Sequence, residues 1–150
     1  MSSAVVLAAV LAFAAGLGGA VQIAVQGRLG ERVGSVEALA TAALVGGVVA
    51  LVVLLAVRRS LGGIAEAAAG PKWQLLGGLM GVFIVFAITV AGPRIGVVAT
   101  TAILIAAQFG LAAMIDKYGW FGVERVAVGW TRLLGVALLV VGAALTLRRQ

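Results

Sequence analysis

The chain has 150 residues, of which 63% are hydrophobic and 11% are charged, and its formal net charge is +6. A soluble domain is about half apolar and a quarter charged, so this chain has too few polar side chains to cover a surface that faces water. We therefore predict an all-α integral membrane protein with a single membrane domain over residues 1–150. The basic residues lie at the ends of apolar runs, so we expect membrane lipid, and no nucleic acid, as a partner.

The residue types that are missing also limit the chemistry. The chain has neither cysteine nor histidine, which removes disulfides, thiolate chemistry, the commonest general base and the commonest metal ligand. No nucleophile–base pair or metal-ligand cluster is evident, and the glycines between residues 16 and 19 lie inside an apolar run rather than in a phosphate-binding loop. We therefore expect no enzyme activity, no metal and no cofactor.

Five apolar segments predict membrane-spanning helices, at residues 4–25, 36–57, 73–91, 95–116 and 131–147. A helix of 22 residues rises about 33 Å, enough to cross a bilayer core with some tilt. We expect a first loop around Arg28, Glu31 and Arg32. The sequence Gly92-Pro93-Arg94 predicts a tight turn that makes the third and fourth segments antiparallel neighbours.

The longer connections are predicted at the membrane interface. Residues 60–71 contain Gly-Gly, Gly-Pro and Glu66, which argue against burial in the membrane, although residues 64–69 fit an interfacial helical turn. Lys72 and Trp73 are anchors of the type found at membrane interfaces. Residues 118–130 are rich in aromatic side chains and are interpreted as an interfacial loop.

Few polar side chains interrupt the apolar segments. Gln108 lies within the fourth segment, and an amide buried in hydrocarbon without a partner costs several kcal/mol, so it must face a helix, a cavity or a symmetry mate. One interpretation is an inter-helix hydrogen bond worth roughly 1 kcal/mol. The other is a substrate pathway whose polar lining comes from four residues: Gln108, Thr101, Thr100 and Gln22.

All five acidic residues lie at segment ends or in loops, so none is placed where an ionisable group in mid-membrane would indicate function. Asp116 closes the fourth segment, where the helix dipole is unfavourable for an anion, which predicts a nearby cation. The expected partner is one of three basic residues, Lys117, Arg125 or Arg132. The alternative is that Asp116 acts as a gate or coupling carboxylate near one mouth of the protein.

The basic residues are divided almost evenly between the two sides of a five-span chain. One side would hold Arg58, Arg59, Lys72, Lys117, Arg125 and Arg132, and the other Arg28, Arg32, Arg94, Arg148 and Arg149. Orientation normally follows an excess of Lys and Arg in cytoplasmic loops. With six against five, we predict that the chain inserts in both orientations and forms an antiparallel homodimer. Ten helices would then be related by an in-plane two-fold axis, as in many secondary transporters.

The fourth segment and its flanks carry a recognisable combination of residues: Pro93-Arg94-Ile95-Gly96, Thr100-Thr101, Gln108 and Ile115-Asp116-Lys117-Tyr118-Gly119. With these residues the chain resembles the YdcZ-type family of small five-helix membrane proteins, in the drug/metabolite transporter superfamily, whose members are described as inner-membrane exporters. The family has glycine and asparagine where this chain has Ala107 and Gln26. The resemblance implies a multi-pass protein of the bacterial inner membrane.

The resemblance also implies a secondary-active exporter of a small metabolite or amphipathic compound, working by alternating access as a homodimer. The last segment looks like the dimerising helix of the small multidrug resistance proteins, which points to Gly135, Leu138 and Gly142 as dimer-packing residues. Those relatives bind protons and cations with a first-helix glutamate, and this chain has no acid before Glu31. The alternative functions are an antiparallel-dimer ion or solute channel and a non-transporting membrane assembly protein.

The dual orientation generates a first prediction. A reporter fused to the C-terminus should be active on both sides of the membrane, because the near-even charge balance gives insertion no strong preference. The measurement pairs one reporter that works only inside the cell with one that works only outside, each without added charge next to the fusion point. Activity on one side only, from a folded fusion, would contradict the dual orientation.

Overall fold

The computed structural model describes residues 3–127 and 129–147. Within these residues the regular elements are all helical: α1 (Ser3–Val33), α2 (Ser35–Arg58), α3 (Gly62–Ala69), α4 (Leu76–Ile95), α5 (Val97–Tyr118) and α6 (Trp130–Thr146). Short 3-10 helices at Lys72–Leu75 and Trp120–Gly122 precede α4 and follow α5.

Among the described residues, four helical segments are long and apolar enough to cross a membrane: Ser3–Val33, Ser35–Arg58, Lys72–Ile95 and Val97–Tyr118. The apolar helix α6 has 17 residues, or about 25 Å, against a hydrocarbon core of about 30 Å. Large apolar side chains such as Leu44 and Phe83 are exposed, at 70% and 62%. Lipid or protein, rather than water, must cover such a surface. The protein is therefore an all-α membrane protein, and a crossing by α6 stays a prediction.

The first predicted loop is wrong, because α1 continues to Val33 and only Gly34 separates it from α2. Arg28 and Glu31 lie on the helix surface three residues apart and form an ion pair at 3.1 Å, a spacing that a helix supports. Gly34 has φ of 102°, which glycine adopts without the steric cost that a Cβ would bring. A single residue is therefore enough to end one helix and begin the next.

The predicted turn at residues 92–94 is also wrong. These residues form the last turn of α4, which ends at Ile95, and the helix is interrupted at Gly96, where φ is 84°. Proline removes one backbone donor but does not stop a helix that is about to end. The Arg94 guanidinium donates a hydrogen bond to the carbonyl of Val90 at 2.7 Å, one turn earlier. Whether the third and fourth segments pack side by side stays a prediction.

By the pattern of contacts the chain divides into two compact units. One contains the first part of α1 and the chain from Ile95 onward, and the other is Ala24–Arg94. In the Ala24–Arg94 unit, the last turns of α1 pack closely on α2 and α4. The Gln26 amide is buried and donates from Nε2 to the carbonyl of Ala38 at 2.7 Å. Gly30 lies directly against the buried side chain of Thr89.

In the other unit, α5 and α6 form an antiparallel pair. Phe109 packs against Gly135, and Asp116 near the end of α5 meets Arg132 near the start of α6. Gly119, with φ of 67°, ends α5 and donates its N–H to the carbonyl of Ile115 at 2.8 Å. Small side chains, including Ala99, Ala106 and Ala143, make up much of the buried surface of these two helices.

Tight packing at Gly30 generates a second prediction. A Cβ at this position would lie 2.5 Å from the Cγ2 of Thr89, so Gly30→Ala should lower the free energy of unfolding by about 1–3 kcal/mol. Thr89→Ser removes that methyl group, keeps the hydroxyl that donates to Val85, and should recover most of the loss in the double variant. The measurement is thermal or denaturant unfolding of the purified protein in detergent.

The matched control is Gly47→Ala in α2, where a Cβ meets no heavy atom within 4 Å. This variant should be neutral or slightly stabilising, since alanine favours a helix over glycine by about 1 kcal/mol. Equal losses at Gly30 and Gly47 would contradict the packing described for α1 and α4.

Candidate functional site

A groove of about 500 Å³ opens between α5 and α6. Its lining is mainly apolar: Ala20, Val97, Val98, Thr101, Ala102, Ile105, Leu138, Leu139, Gly142, Ala143 and Thr146. Small residues on both helices, among them Ala102 and Gly142, leave this space between two backbones that lie close together. A Cβ at Gly142 would meet no heavy atom within 4 Å, so the groove is open there.

Two hydroxyls give the groove its polar character. Thr101 donates from Oγ1 to the carbonyl of Val97 at 2.8 Å, and Thr146 donates to the carbonyl of Ala143 at 2.7 Å. Each hydroxyl therefore uses its hydrogen within its own helix, while its oxygen keeps acceptor capacity. The groove thus combines apolar walls with two hydrogen-bond acceptors, which suits a largely apolar molecule that carries a donor group.

The structure separates the four residues predicted to line a substrate pathway. Thr101 lines the groove, whereas Thr100 is 3% exposed and donates to the carbonyl of Gly96 at 2.8 Å. Gln108 and Gln22 are both exposed on the surface of the single chain. Among the described residues, Thr101 therefore lines the groove, and the other three predicted residues do not. The role of all four in transport stays a prediction.

Gln26 is a buried amide with a structural role. The residue is 6% exposed, and its side chain joins α1 to α2 through the hydrogen bond to Ala38. Gln26 therefore has a packing role through the backbone of a neighbouring helix. Gln22, one turn earlier, is exposed instead, so the two amides of this helix lie in different environments.

Asp116 has the local cation that its position predicts. Its Oδ2 lies 2.9 Å from Nη1 of Arg132, and the two side chains are 34% and 41% exposed. The carbonyl of Asp116 also accepts the backbone N–H of Val126 at 2.9 Å. Asp116 thus ties the end of α5 to both the following loop and the start of α6. A gate or coupling role for the same carboxylate stays a prediction.

The predicted dimer-packing residues of α6 do not share one environment. A Cβ at Gly135 would lie 3.5 Å from the Phe109 ring of the same chain, so this glycine allows α5 and α6 to approach. Leu138 is 64% exposed, and both Leu138 and Gly142 line the groove. Contact with a second copy through these residues stays a prediction.

The sequence analysis missed several residues that form the groove. Thr146 was not singled out, although it follows Gly142 by one helical turn and so shares its face. Ala20, Val97 and Val98 give no signal of their own, because an alanine or valine in an apolar helix is equally consistent with a lipid-facing position. Among the described residues, no group of three or more His, Cys, Asp or Glu side chains lies close enough to hold a metal.

The ion pair between α5 and α6 generates a third prediction. In a double-mutant cycle, Asp116→Asn and Arg132→Gln should be coupled by about 0.5–1 kcal/mol in the free energy of unfolding, the range of a partly exposed pair. The matched control replaces another arginine of the same region, Arg125→Gln, which should show no coupling to Asp116. A coupling as large at Arg125 as at Arg132 would contradict the pairing.

Comparison with known proteins gives the family. A family model described as "Putative inner membrane exporter, YdcZ" matches residues 7–145. A relative, "Inner membrane protein YdcZ" of Escherichia coli (strain K12), is 34% identical over 105 residues, which make up 69% of this chain and 70% of that protein. No solved structure matches the chain significantly. The resemblance in the sequence and the prediction of a multi-pass protein of the bacterial inner membrane are confirmed: the chain belongs to the YdcZ family of inner membrane proteins.

Proposed function

We propose that the protein is a secondary-active exporter that moves a small metabolite or amphipathic compound by alternating access, as an antiparallel homodimer. The family description points to membrane transport in general terms. The observation that carries the finer proposal is the groove between α5 and α6, because it is a cavity between two apolar helices and is lined by one of the predicted pathway residues, Thr101.

The chemistry of the groove defines the class of substrate. Its walls come from aliphatic side chains and backbone, and its polar atoms are the acceptor oxygens of Thr101 and Thr146. No charged residue belongs to its lining in the described part of the chain. A molecule with an apolar body and a hydroxyl, amide or amine donor matches this surface, since a strongly charged one would lose its hydration without a counter-ion.

A homodimer would account for two features of the single chain, its exposed amides and its balanced basic residues. The exposed amides Gln22 and Gln108 need partners in a membrane, and the balanced basic residues favour both orientations. Of those basic residues, Arg148 and Arg149 lie outside the described part of the chain. In an inverted pair, Thr101, Gln108, Thr100 and Gln22 would each be present twice, on opposite halves of the membrane.

If transport is coupled to an ion, the coupling must work without an acidic residue in the middle of a span. Asp116 is the candidate for a coupling or gating group, because it is partly exposed and its pairing with Arg132 crosses from one helix to the next. Breaking and remaking that pair would link the movement of α5 to that of α6. Unchanged transport in Asp116→Asn would remove this role and leave the ion pair a purely structural one.

Filling the groove is the fourth prediction. Val98→Phe places a larger ring on a groove-lining position that is 71% exposed, and should lower transport by about tenfold, equivalent to 1.4 kcal/mol of binding or barrier. The matched control is Val140→Phe on α6, which is 52% exposed and does not line the groove. The measurement is uptake and counterflow of a panel of amphipathic solutes in proteoliposomes.

The same assay separates the alternative functions. Saturable flux with counterflow supports an exporter, whereas large single-file conductance would indicate a channel. Proteoliposomes that contain folded dimer but move no solute would indicate an assembly protein. Equal transport by the Val98 and Val140 variants would contradict the groove as the binding site.

A further inference from the structure

The exposed amide of Gln108 lies at the centre of its helix. It lies eleven positions after Val97 at the start of α5 and ten positions before Tyr118 at the end, or about 16 and 15 Å along the axis. Gln108 is therefore near the middle of the membrane if α5 spans it. Hydrocarbon offers an amide no hydrogen bond, so the carboxamide must find a protein group beyond α5 or water held by one.

We propose that a second, inverted copy of this chain covers α5 and that the two Gln108 side chains form hydrogen bonds to each other on the two-fold axis. This inference rests on the antiparallel homodimer of the proposed function and names the contact at its centre. A carboxamide has both a donor NH₂ and an acceptor C=O, so two of them pair reciprocally. No other uncharged side chain near the middle of α5 has that self-complementary chemistry.

Gln108 lies at the depth that a self-contact in an inverted pair requires. When the two-fold axis lies in the membrane plane, a residue meets its own copy only if it lies at the level of that axis. A residue one turn nearer the start of α5 must then face a residue of the second copy that lies one turn nearer the end of its α5. The midpoint of α5 is occupied by the polar side chain that needs a partner, which is where an inverted pair places its self-contact.

The helix face that contains Gln108 is continuous with the groove. Helical spacing places five residues on this face, which we call the Gln108 stripe: Thr101, Leu104, Gln108, Ala112 and Ile115. Thr101 belongs both to the stripe and to the groove lining. A partner seated on the stripe would therefore close the open side of the groove, and its own groove would lie in the opposite half of the membrane.

The test is the fifth prediction and uses the natural absence of cysteine, so each variant carries only the thiols introduced. Gln108→Cys should give a disulfide-linked dimer on mild oxidation in membranes, since facing Cα atoms at a helix crossing come within the 4.4–6.8 Å that a disulfide requires. Leu104→Cys and Ala112→Cys should each stay uncrosslinked alone. Coexpressed with different tags, these two should form a mixed dimer.

A second measurement does not depend on oxidation. Gln108→Ala should raise the dimer dissociation constant in lipid or detergent by about tenfold, as expected for the loss of two inter-helix hydrogen bonds. The matched control is Val140→Ala, an exposed position on α6, which should leave the dissociation constant unchanged.

The outcomes are distinct. Crosslinking of Leu104→Cys or Ala112→Cys with its own copy would show a parallel pair and overturn the proposal. A dimer that does not crosslink through Gln108→Cys, or that tolerates Gln108→Ala, would overturn the central contact but leave the exporter intact. A protein that is monomeric in bilayers would overturn both the contact and the homodimer. Transport by the unmodified protein is measured separately, so its loss would count against the proposed function alone.

Discussion

The need to satisfy polar groups in a medium without hydrogen bonds organises this structure. The threonines of the spans meet it locally, since each donates to a backbone carbonyl of its own helix: Thr41, Thr89, Thr100 and Thr101 to the residue four positions earlier. Gln26 meets it by joining α1 to α2. Two span amides, Gln22 and Gln108, are exposed instead. Of these satisfied groups, Gln26 holds two helices together, whereas the exposed amides indicate where a hydrogen-bond partner must lie.

Hydropathy predicted the long helices well, but the first loop and the turn at residues 92–94 were predicted at the wrong positions. The reason is physical. Long apolar runs identify segments that enter the membrane, whereas charged residues and proline only suggest where they leave it. Arg28 and Glu31 stabilise further helical turns through their spacing, and Pro93 is accommodated at the end of α4. The helices are actually interrupted at Gly34 and Gly96, where φ is positive. With 22 glycines in the chain, the sequence does not reveal which of them adopt that conformation.

The candidate site was less predictable than the fold. Its polar residues are visible in the sequence because they interrupt apolar runs, and Thr101 and Gln108 share a helix face by spacing alone. Helix α6 covers one side of that face. Which side it covers depends on the angle at which the two helices pack, and that angle follows from side-chain shapes across the whole interface. The close approach of Gly135 to Phe109 is one part of that interface here. Hence the groove next to Thr101 emerges only once both helices are placed.

The ion pair of Asp116 bears on whether α6 spans the membrane. At about 25 Å, this helix is shorter than the hydrocarbon core by about 5 Å, so a crossing would bring at least one of its ends towards the core. Arg132 lies in its first turn, close to Trp130, which is 78% exposed and of the type that anchors helices at an interface. A bare guanidinium at that depth would resist the crossing, whereas one paired with Asp116 at 2.9 Å carries much of its compensating charge with it. Pairing with Asp116 would therefore lower the cost of bringing Arg132 towards the core if α6 spans the membrane, and that crossing stays a prediction.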